Sequence, residues 1–221
     1  MFVGIDLGTS GLKAVLVDGA QRVLASYTHP CMSHPHAGWN EQAPGTGGSP
    51  FWPPWTCWPP AIRVKWRWSG ALACRASSMV PCCWGRRGRA ASMHFVERYP
   101  RHSAMWEFER RFPEFRQVCG NMAMPGFTAP KLIWVAEHEP DVFRATRHVL
   151  LPKAWLRYRM TGEMIEDMSD ASGSLWLDVG RRCWSDGALA ACGLETRAMP
   201  ALVEGTARAG ALDAGLARRW G

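Results

Sequence analysis

Two apolar segments joined by a glycine turn, at residues 2–18, constrain the fold of this chain more than any other feature. They read FVGIDLGTSGLKAVLVD, with the break at the letters GTSG. Apolar and β-branched runs on both sides of a short glycine turn predict two antiparallel strands. Residues 21–27 (QRVLASY) alternate well enough to predict a third antiparallel strand after a second turn at Asp18-Gly19.

The glycine turn has the composition of an anion site. Gly8 lets the backbone take a positive φ and approach a ligand closely. Thr9 and Ser10 add hydroxyl groups, Lys13 adds a positive charge, and Asp6 is the kind of carboxylate that holds Mg²⁺ through water. The spacing is not that of the strand-to-helix P-loop. A plain polar hairpin turn explains the same residues, and the pattern alone leaves both interpretations open.

The pattern D-x-G-T-S-x-x-K between two apolar strands resembles the first phosphate-binding motif of the superfamily that joins sugar kinases, heat-shock chaperones and actin. Within it, the resemblance is to the FGGY carbohydrate kinases, in which this hairpin faces the phosphates of ATP. The resemblance implies cofactor-binding roles for Asp6, Gly8, Thr9, Ser10 and Lys13. It also implies that Asp6 holds Mg²⁺ through water.

A second motif lies in the segment GNMAMPGFTAPKLIWVAEH. Its pattern predicts a helix capped by Thr128, with a proline in the first turn and an apolar stripe after it. The letters G-x-T-x-x-K-L-x-W-V-x-E-H also match the first FGGY signature, and GNMAMPGFTAPK is typical of the xylulokinase branch. The resemblance implies structural roles for Lys131 and Trp134, and places Met124 and Thr128 near the sugar cleft.

The net charge of +7 comes from one segment of the 221-residue chain. Residues 45–106 contain nine Lys or Arg and a single acid, together with seven of the 13 tryptophans and four of the eight cysteines. Prolines interrupt the segment, and neither the strand nor the helix period persists in it. Because this segment carries an excess of eight positive charges, the rest of the chain is close to neutral.

Three explanations compete for residues 45–106. A basic, Trp-rich nucleic-acid module uses these residue types, but no known signature supports it. Cys57, Cys74, Cys82 and Cys83 could bind a metal, but their spacing does not match a tetrahedral knuckle. The third explanation, which we favour, is translation out of frame, because a GC-rich gene read in the wrong frame yields this composition. The family resemblance stops near residue 44 and resumes near residue 107.

Ordinary patterning returns after this segment. The first predicted element is an amphipathic helix through Phe108, Phe112 and Phe115, broken by Pro113 and closed by Gly120. A buried strand at 148–151 and a helix at 152–161, closed by Gly162, are predicted next. A strand through Leu175, Trp176 and Leu177 follows, and then a helix capped by Ser185 and stopped by Gly193. The carboxylates of Asp167 and Asp170 could perform acid-base chemistry, but a solvated loop or a helix cap is the commoner outcome.

Weaker signals bound the remaining possibilities. His34 and His36 could chelate a metal, but no third ligand lies nearby in the sequence. The cysteines are expected to be reduced thiols. No apolar run is long enough to span a membrane and no secretory signal is readable, so we expect a cytoplasmic protein.

The resemblance implies an incomplete α/β domain of the ribonuclease-H-like, actin-like ATPase type, with a mixed five-stranded sheet and flanking helices. It covers residues 1–44 and 107–221, which correspond to the N-terminal half of a xylulokinase. It implies transfer of the ATP γ-phosphate to D-xylulose; a ribulose, gluconate or glycerol kinase is the alternative. The family's catalytic aspartate and second, nucleotide-binding domain are expected beyond residue 221, so this chain contains no catalytic residue and is expected to be inactive. A homodimer is compatible with this interpretation, and a nucleic-acid partner is not favoured.

Overall fold

A computed structural model describes residues 1–8, 11–30, 34–36, 39–41, 71–76, 82–85, 90–93 and 102–220. The strands are β1 Phe2–Leu7, β2 Gly11–Val17, β3 Val23–Pro30, β4 His34–His36, β5 Trp39–Glu41, β6 Ala71–Ala76, β7 Cys82–Gly85, β8 Ala90–Met93, β9 Thr146–Leu150, β10 Ile165–Asp167, β11 Leu177–Asp178, β12 Cys183–Trp184 and β13 Ala201–Val203. The helices are α1 His102–Arg111, α2 Phe115–Cys119, α3 Thr128–His138, α4 Pro140–Ala145, α5 Pro152–Thr161, α6 Met168–Ser172, α7 Asp186–Ala191 and α8 Ala214–Trp220, with a 3₁₀ turn at Thr196–Ala198.

The main sheet has the strand order β3-β2-β1-β6 among the described residues. The first three strands are antiparallel neighbours, and β6 runs parallel to β1, with Phe2 opposite Ala71 and Leu7 opposite Ala76. Tight turns suffice for the antiparallel strands, whereas a parallel neighbour requires a long crossover connection. The sheet is therefore mixed, as predicted.

One face of the β1–β2 hairpin supplies the first core. The side chains that alternate along the two strands, Val3, Ile5, Leu7, Leu12, Ala14 and Leu16, are at most 2% exposed. They pack with Ala154, Trp155, Leu156 and Met160 of α5. Burying each large aliphatic side chain contributes about 1.5–3 kcal/mol, so α5 is held firmly under the hairpin. The opposite face of the hairpin carries Asp6 and Lys13, both exposed.

A second core lies between α1, α3, α7 and the segment around Trp176. Its largest fully buried side chains include Phe108, Leu132 and Trp176. Strand β9 borders both cores, because Val149 belongs to the second and Leu150 to the first, and each is 1% exposed. Successive side chains of a strand point to opposite faces, which explains this division.

Several helix ends downstream of residue 107 follow the predicted pattern. Helix α1 ends before Pro113, and α2 closes at Gly120, which has φ 65°. Helix α5 spans the predicted residues and closes at Gly162, which has φ 77°. The hydroxyl of Ser185 accepts a hydrogen bond from the amide of Ala188 at 3.3 Å and caps α7. These terminal residues could be predicted because each one provides, within one turn of chain, hydrogen bonds for the N–H or C=O groups that a helix end leaves unpaired.

The main sheet was predicted with five strands, and its described part has four, while β9 pairs with β7 in a separate three-stranded sheet. Two predictions need correction. Thr128 was predicted to cap α3, but Phe127 is the N-cap residue and Thr128 is the first helical residue. The strand predicted through Leu175 begins only at Leu177, because Leu175 has φ 68° and cannot join a ladder.

The segment 45–106, in which the sequence showed no folding pattern, contains three described strands. They are β6, β7 and β8, and β6 lies beside β1 in the main sheet. Strands β6 and β7 pair with β1 and β9, which are far away in the chain, and local periodicity does not register such pairing. Strand β8 pairs with its neighbour β7. Whether the segment is translated out of frame is not tested by these strands and stays a prediction.

Candidate functional site

The β1–β2 hairpin places two of the predicted site residues side by side. Asp6 and Lys13 are directly opposite in the antiparallel register, and both side chains are exposed. Opposite residues on one face have Cβ atoms about 4.5–5.5 Å apart. The hairpin thus presents a carboxylate and an ammonium group together. On the β1 side, only Leu7 lies between Asp6 and the first residue of the glycine turn, Gly8. A phosphate with a bound cation requires this combination of charges.

The glycine turn itself differs from the prediction at Gly8. Its amide donates a hydrogen bond to the carbonyl of Gly11 at 2.8 Å, and its φ is not positive. A Cβ on Gly8 would lie 3.3 Å from the Gly11 oxygen, so the residue serves close approach of the two strands instead of a left-handed turn. Thr9 and Ser10 lie outside the described residues. Their predicted roles toward phosphate are untested.

The second motif is largely buried. Lys131 and Trp134 on α3 are 6% exposed, which agrees with the structural role expected for them. The Trp134 ring stacks on His138 with centroids 4.5 Å apart. Met124 is 52% exposed, and Thr128 is fully buried. The approach of these two residues to the sugar cleft is not tested and stays a prediction.

Asp167 and Asp170, which the sequence suggested for a cap or for acid-base chemistry, belong to a buried group of charges. Asp167 caps α6 by accepting a hydrogen bond from the amide of Asp170 at 3.1 Å. The ammonium of Lys153 forms ion pairs with Asp167 and, at 2.9 Å, with Asp170. Arg157 lies one turn further along α5, 4.0 Å from Glu166. We call these five residues the Glu166 cluster.

Burial and the neighbouring charges shift the pKa values within the Glu166 cluster. Burial raises the pKa of Glu166 to about 8, and the carboxylates of Asp170 and Asp167 add to that rise while Lys153 and Arg157 oppose it. Burial also raises the pKa of Asp167, but the hydrogen bonds from Lys153 and the Asp170 amide, together with the charges of Lys153 and Arg157, outweigh it, so that pKa is lowered. The pKa of Lys153 is raised, because its two aspartate partners outweigh its own desolvation.

The sequence pattern missed three members of the cluster, Lys153, Arg157 and Glu166. The sequence did contain a pattern that could have indicated them. Two cations lie four residues apart on a predicted helix, and three acids follow within residues 166–170. Oxygen atoms of the three carboxylates lie within 4.8 Å of one another. The Lys153 ammonium already lies against two of them, so we interpret the group as an internal ion-pair network.

An open groove of about 510 Å³ lies elsewhere, between β12 and β13. Its walls include Arg182, Cys183, Trp184 and Thr196, and none of its lining residues belongs to the hairpin. Arg182 is paired with Glu204, and Thr196 with Asp186. Arg182 and Thr196 thus have partners within the protein, and the hairpin is the better candidate site.

The cysteines whose side chains are described carry free thiols, as expected. They are Cys119, Cys183 and Cys192. Burial raises the pKa of both Cys119 and Cys192 to about 12, so neither is a reactive thiolate. The side chains of His34 and His36, considered above as metal ligands, lie outside the described residues.

Comparison with known protein families gives a match over residues 98–221 to the N-terminal domain of the FGGY family of carbohydrate kinases. That match covers more than half of the chain. The chain belongs to the FGGY family. The glycine hairpin lies outside this match and is covered instead by individual FGGY relatives that align with the whole chain.

Two of these relatives are xylulose kinases. The enzyme of Escherichia coli (strain K12) is 40% identical over 232 residues, covering 100% of this chain and 46% of the relative. That of Klebsiella pneumoniae is 40% identical over 231 residues, with the same shares covered. The chain therefore spans about half the length of the relatives it matches.

Solved FGGY structures support the fold. A xyloylose kinase from Brucella ovis is 36% identical with a TM-score of 0.82, covering 96% of this chain and 45% of that one. The xylulose kinase from Rhodospirillum rubrum has the same TM-score of 0.82 at 21% identity, covering 98% and 46%. The predicted actin-like α/β fold is thereby confirmed. In the described part of the chain, no helix is long and apolar enough to cross a bilayer.

Proposed function

We propose that this chain is the N-terminal half of an ATP-dependent kinase of the xylulokinase type, which transfers the ATP γ-phosphate to D-xylulose in the cytoplasm. The observation that carries the proposal is the 40% identity to the xylulose kinase of Escherichia coli along the whole chain. The alternatives of gluconate or glycerol as substrate rest on structures 16% and 15% identical, which show the fold alone.

The hairpin residues supply the chain's contribution to phosphate binding. Lys13 places a positive charge beside the turn, and Asp6, exposed on the open face, offers an oxygen to a hydrated Mg²⁺. Thr9 and Ser10 offer hydroxyl and amide donors, and Gly8 permits the close approach of the strands. A bound Mg²⁺ supplies charge neutralisation for the transferred phosphoryl group.

The first core explains how the protein keeps these groups in place. Asp6 and Lys13 each lie between two side chains that point into the core beneath, where α5 packs. A phosphoryl-transfer site works mainly by orientation and charge stabilisation, so rigid support of the hairpin matters for rate. Substitutions under the hairpin are therefore expected to affect phosphate binding as well as stability.

The 221-residue chain is expected to have no measurable turnover by itself. It supplies one wall of the proposed site, and residues 45–106 lack the sugar-contacting motifs that the resemblance places there. We attribute that lack to a shifted reading frame within this segment. Sequencing the encoding DNA tests this directly, since one uninterrupted frame with the codon usage of its flanks would contradict it.

Two chimeras of the Escherichia coli xylulose kinase test the function and the segment separately. In the first, this chain replaces the aligned half of that enzyme, and we expect no ADP release with D-xylulose. In the second, residues 45–106 are returned to the Escherichia coli sequence, and turnover in the ordinary kinase range of about 1–100 s⁻¹ is expected. D-ribulose, gluconate and glycerol serve as competing substrates.

Each outcome of the chimera experiment decides one point. Activity of the first chimera comparable to that of the parent enzyme would contradict the proposed defect in residues 45–106. A folded second chimera that prefers another substrate would contradict the assignment of D-xylulose. Circular dichroism and gel filtration on both chimeras establish that they are folded before rates are compared.

A further inference from the structure

The Glu166 cluster joins α5 to two consecutive elements that follow it, β10 and α6. Lys153 and Arg157 lie on α5, Glu166 and Asp167 on β10, and Asp170 on α6. Lys153 binds the two aspartates, and Arg157 donates to the backbone carbonyl of Ile165. Through these contacts, the helix that supports the hairpin is tied to the segment that follows it.

Glu166 has the poorest set of partners in this cluster. Its side chain is 1% exposed, and its Oε1 accepts a hydrogen bond from the amide of Asp167 at 3.1 Å. Its Oε2 is buried and has no hydrogen-bond partner within the described part of the chain. The nearest cation, Arg157, is 4.0 Å away. A buried carboxylate with so few donors is costly in its charged form.

The charges of the cluster do not balance. Three carboxylates face two cations, and the ammonium of Lys153 is already shared by Asp167 and Asp170. Glu166 also lines a cavity of about 10 Å³, bordered by apolar side chains such as Val149, Leu151 and Trp176. One proton on Glu166 makes the cluster neutral, in surroundings where an excess charge is poorly solvated.

We propose that Glu166 is protonated at neutral pH and acts as a pH-sensitive latch between α5 and the β10–α6 segment. When mildly alkaline solution removes the proton, the enclosed cluster gains an uncompensated negative charge. The strand pair that holds this segment, β10 with β13, has only three residues on each side. It is therefore the part of the described structure that opens when the charge appears, which frees β10 and α6 from the helix under the hairpin.

Unfolding as a function of pH tests the latch with Glu166→Gln and a matched control, Glu163→Gln. Glu163 is exposed and lies on the same segment. Since the pKa of Glu166 is about 8 when folded and 4.5 when unfolded, the ratio of folded to unfolded protein falls with rising pH. Between pH 6 and 9 the fall is roughly 100-fold in the original chain and in the control. It is absent in Glu166→Gln.

Hydrogen exchange on the unsubstituted chain gives a second readout, independent of whether the variant folds. Amides of residues 163–174 should lose protection as the pH rises from 6 to 9, after correction for the intrinsic exchange rate, and by a larger factor than those of α3. Lys153→Gln should shift this loss to higher pH, because it removes a charge that favours the carboxylate. Equal pH dependence in Glu166→Gln and Glu163→Gln, or unchanged protection of residues 163–174 up to pH 9.5, would overturn the proposal. Neither result depends on kinase activity.

Discussion

Two glycines that close helices provide a sharp test of how this fold is stabilised. Gly120 and Gly162 follow α2 and α5 with φ of 65° and 77°, and the amide of each donates to a carbonyl four residues back. Their surroundings differ. A Cβ on Gly120 would lie 3.0 Å from Cγ2 of Val179, whereas a Cβ on Gly162 would meet nothing within 4 Å.

The difference between the two sites predicts two distinct losses of stability on substitution by alanine. A left-handed conformation costs an L-residue about 1–2 kcal/mol, so Gly162→Ala should lose that amount. Gly120→Ala should lose about 1 kcal/mol more, the lower end of the overpacking range, because Val179 is 37% exposed and can shift. Gly126, exposed and without a positive φ, has nothing within 4 Å of a Cβ, so Gly126→Ala should stay within about 0.5 kcal/mol.

Urea unfolding at 25 °C measures the three variants against the original chain. In thermal unfolding, each kcal/mol should appear as a shift of about 2–4 °C for a chain of this size. If Gly162→Ala is as stable as Gly126→Ala, the left-handed backbone is not the source of the loss. If Gly120→Ala and Gly162→Ala lose equal amounts, the contact with Val179 contributes nothing.

Three further predictions concern single side chains. Ser185→Ala removes the cap of α7 and should cost about 1 kcal/mol in urea unfolding. Lys153→Met leaves Asp167 and Asp170 without their cation, so the unfolding free energy at pH 7 should fall by about 3–5 kcal/mol. That deficit should shrink as the pH is lowered toward 4 and the carboxylates take up protons. Asp6→Asn in the second chimera should lower kcat at least about 100-fold, because it removes the proposed ligand of the hydrated Mg²⁺. Its melting temperature should not change, because Asp6 is exposed.

The local features of this fold were predictable from the sequence. The hairpin follows from apolar alternation around a glycine turn, and α5 begins at Pro152 and ends before Gly162 as its end signals predict. Such features depend on residues within one or two turns of each other. The register that brings Asp6 opposite Lys13 follows from the same short turn.

Features that depend on distant residues were not predictable. A solvated loop or a helix cap was expected for Asp167 and Asp170, and Asp167 does cap α6, yet it is buried and paired with Lys153, which lies on another element. Thr128 has the side chain of a capping residue, but the chain enters α3 one residue earlier and covers it. Strand β6 gains its ladder from β1, which is remote in sequence. In each case tertiary packing overrides local preference.

Strand β9 gives the molecule a shared wall, since consecutive residues of one short strand face different cores. Displacement of β9 removes a buried side chain from both apolar clusters at once. Heating should consequently melt the hairpin layer and the helical layer together in one cooperative transition, instead of releasing them as two successive units.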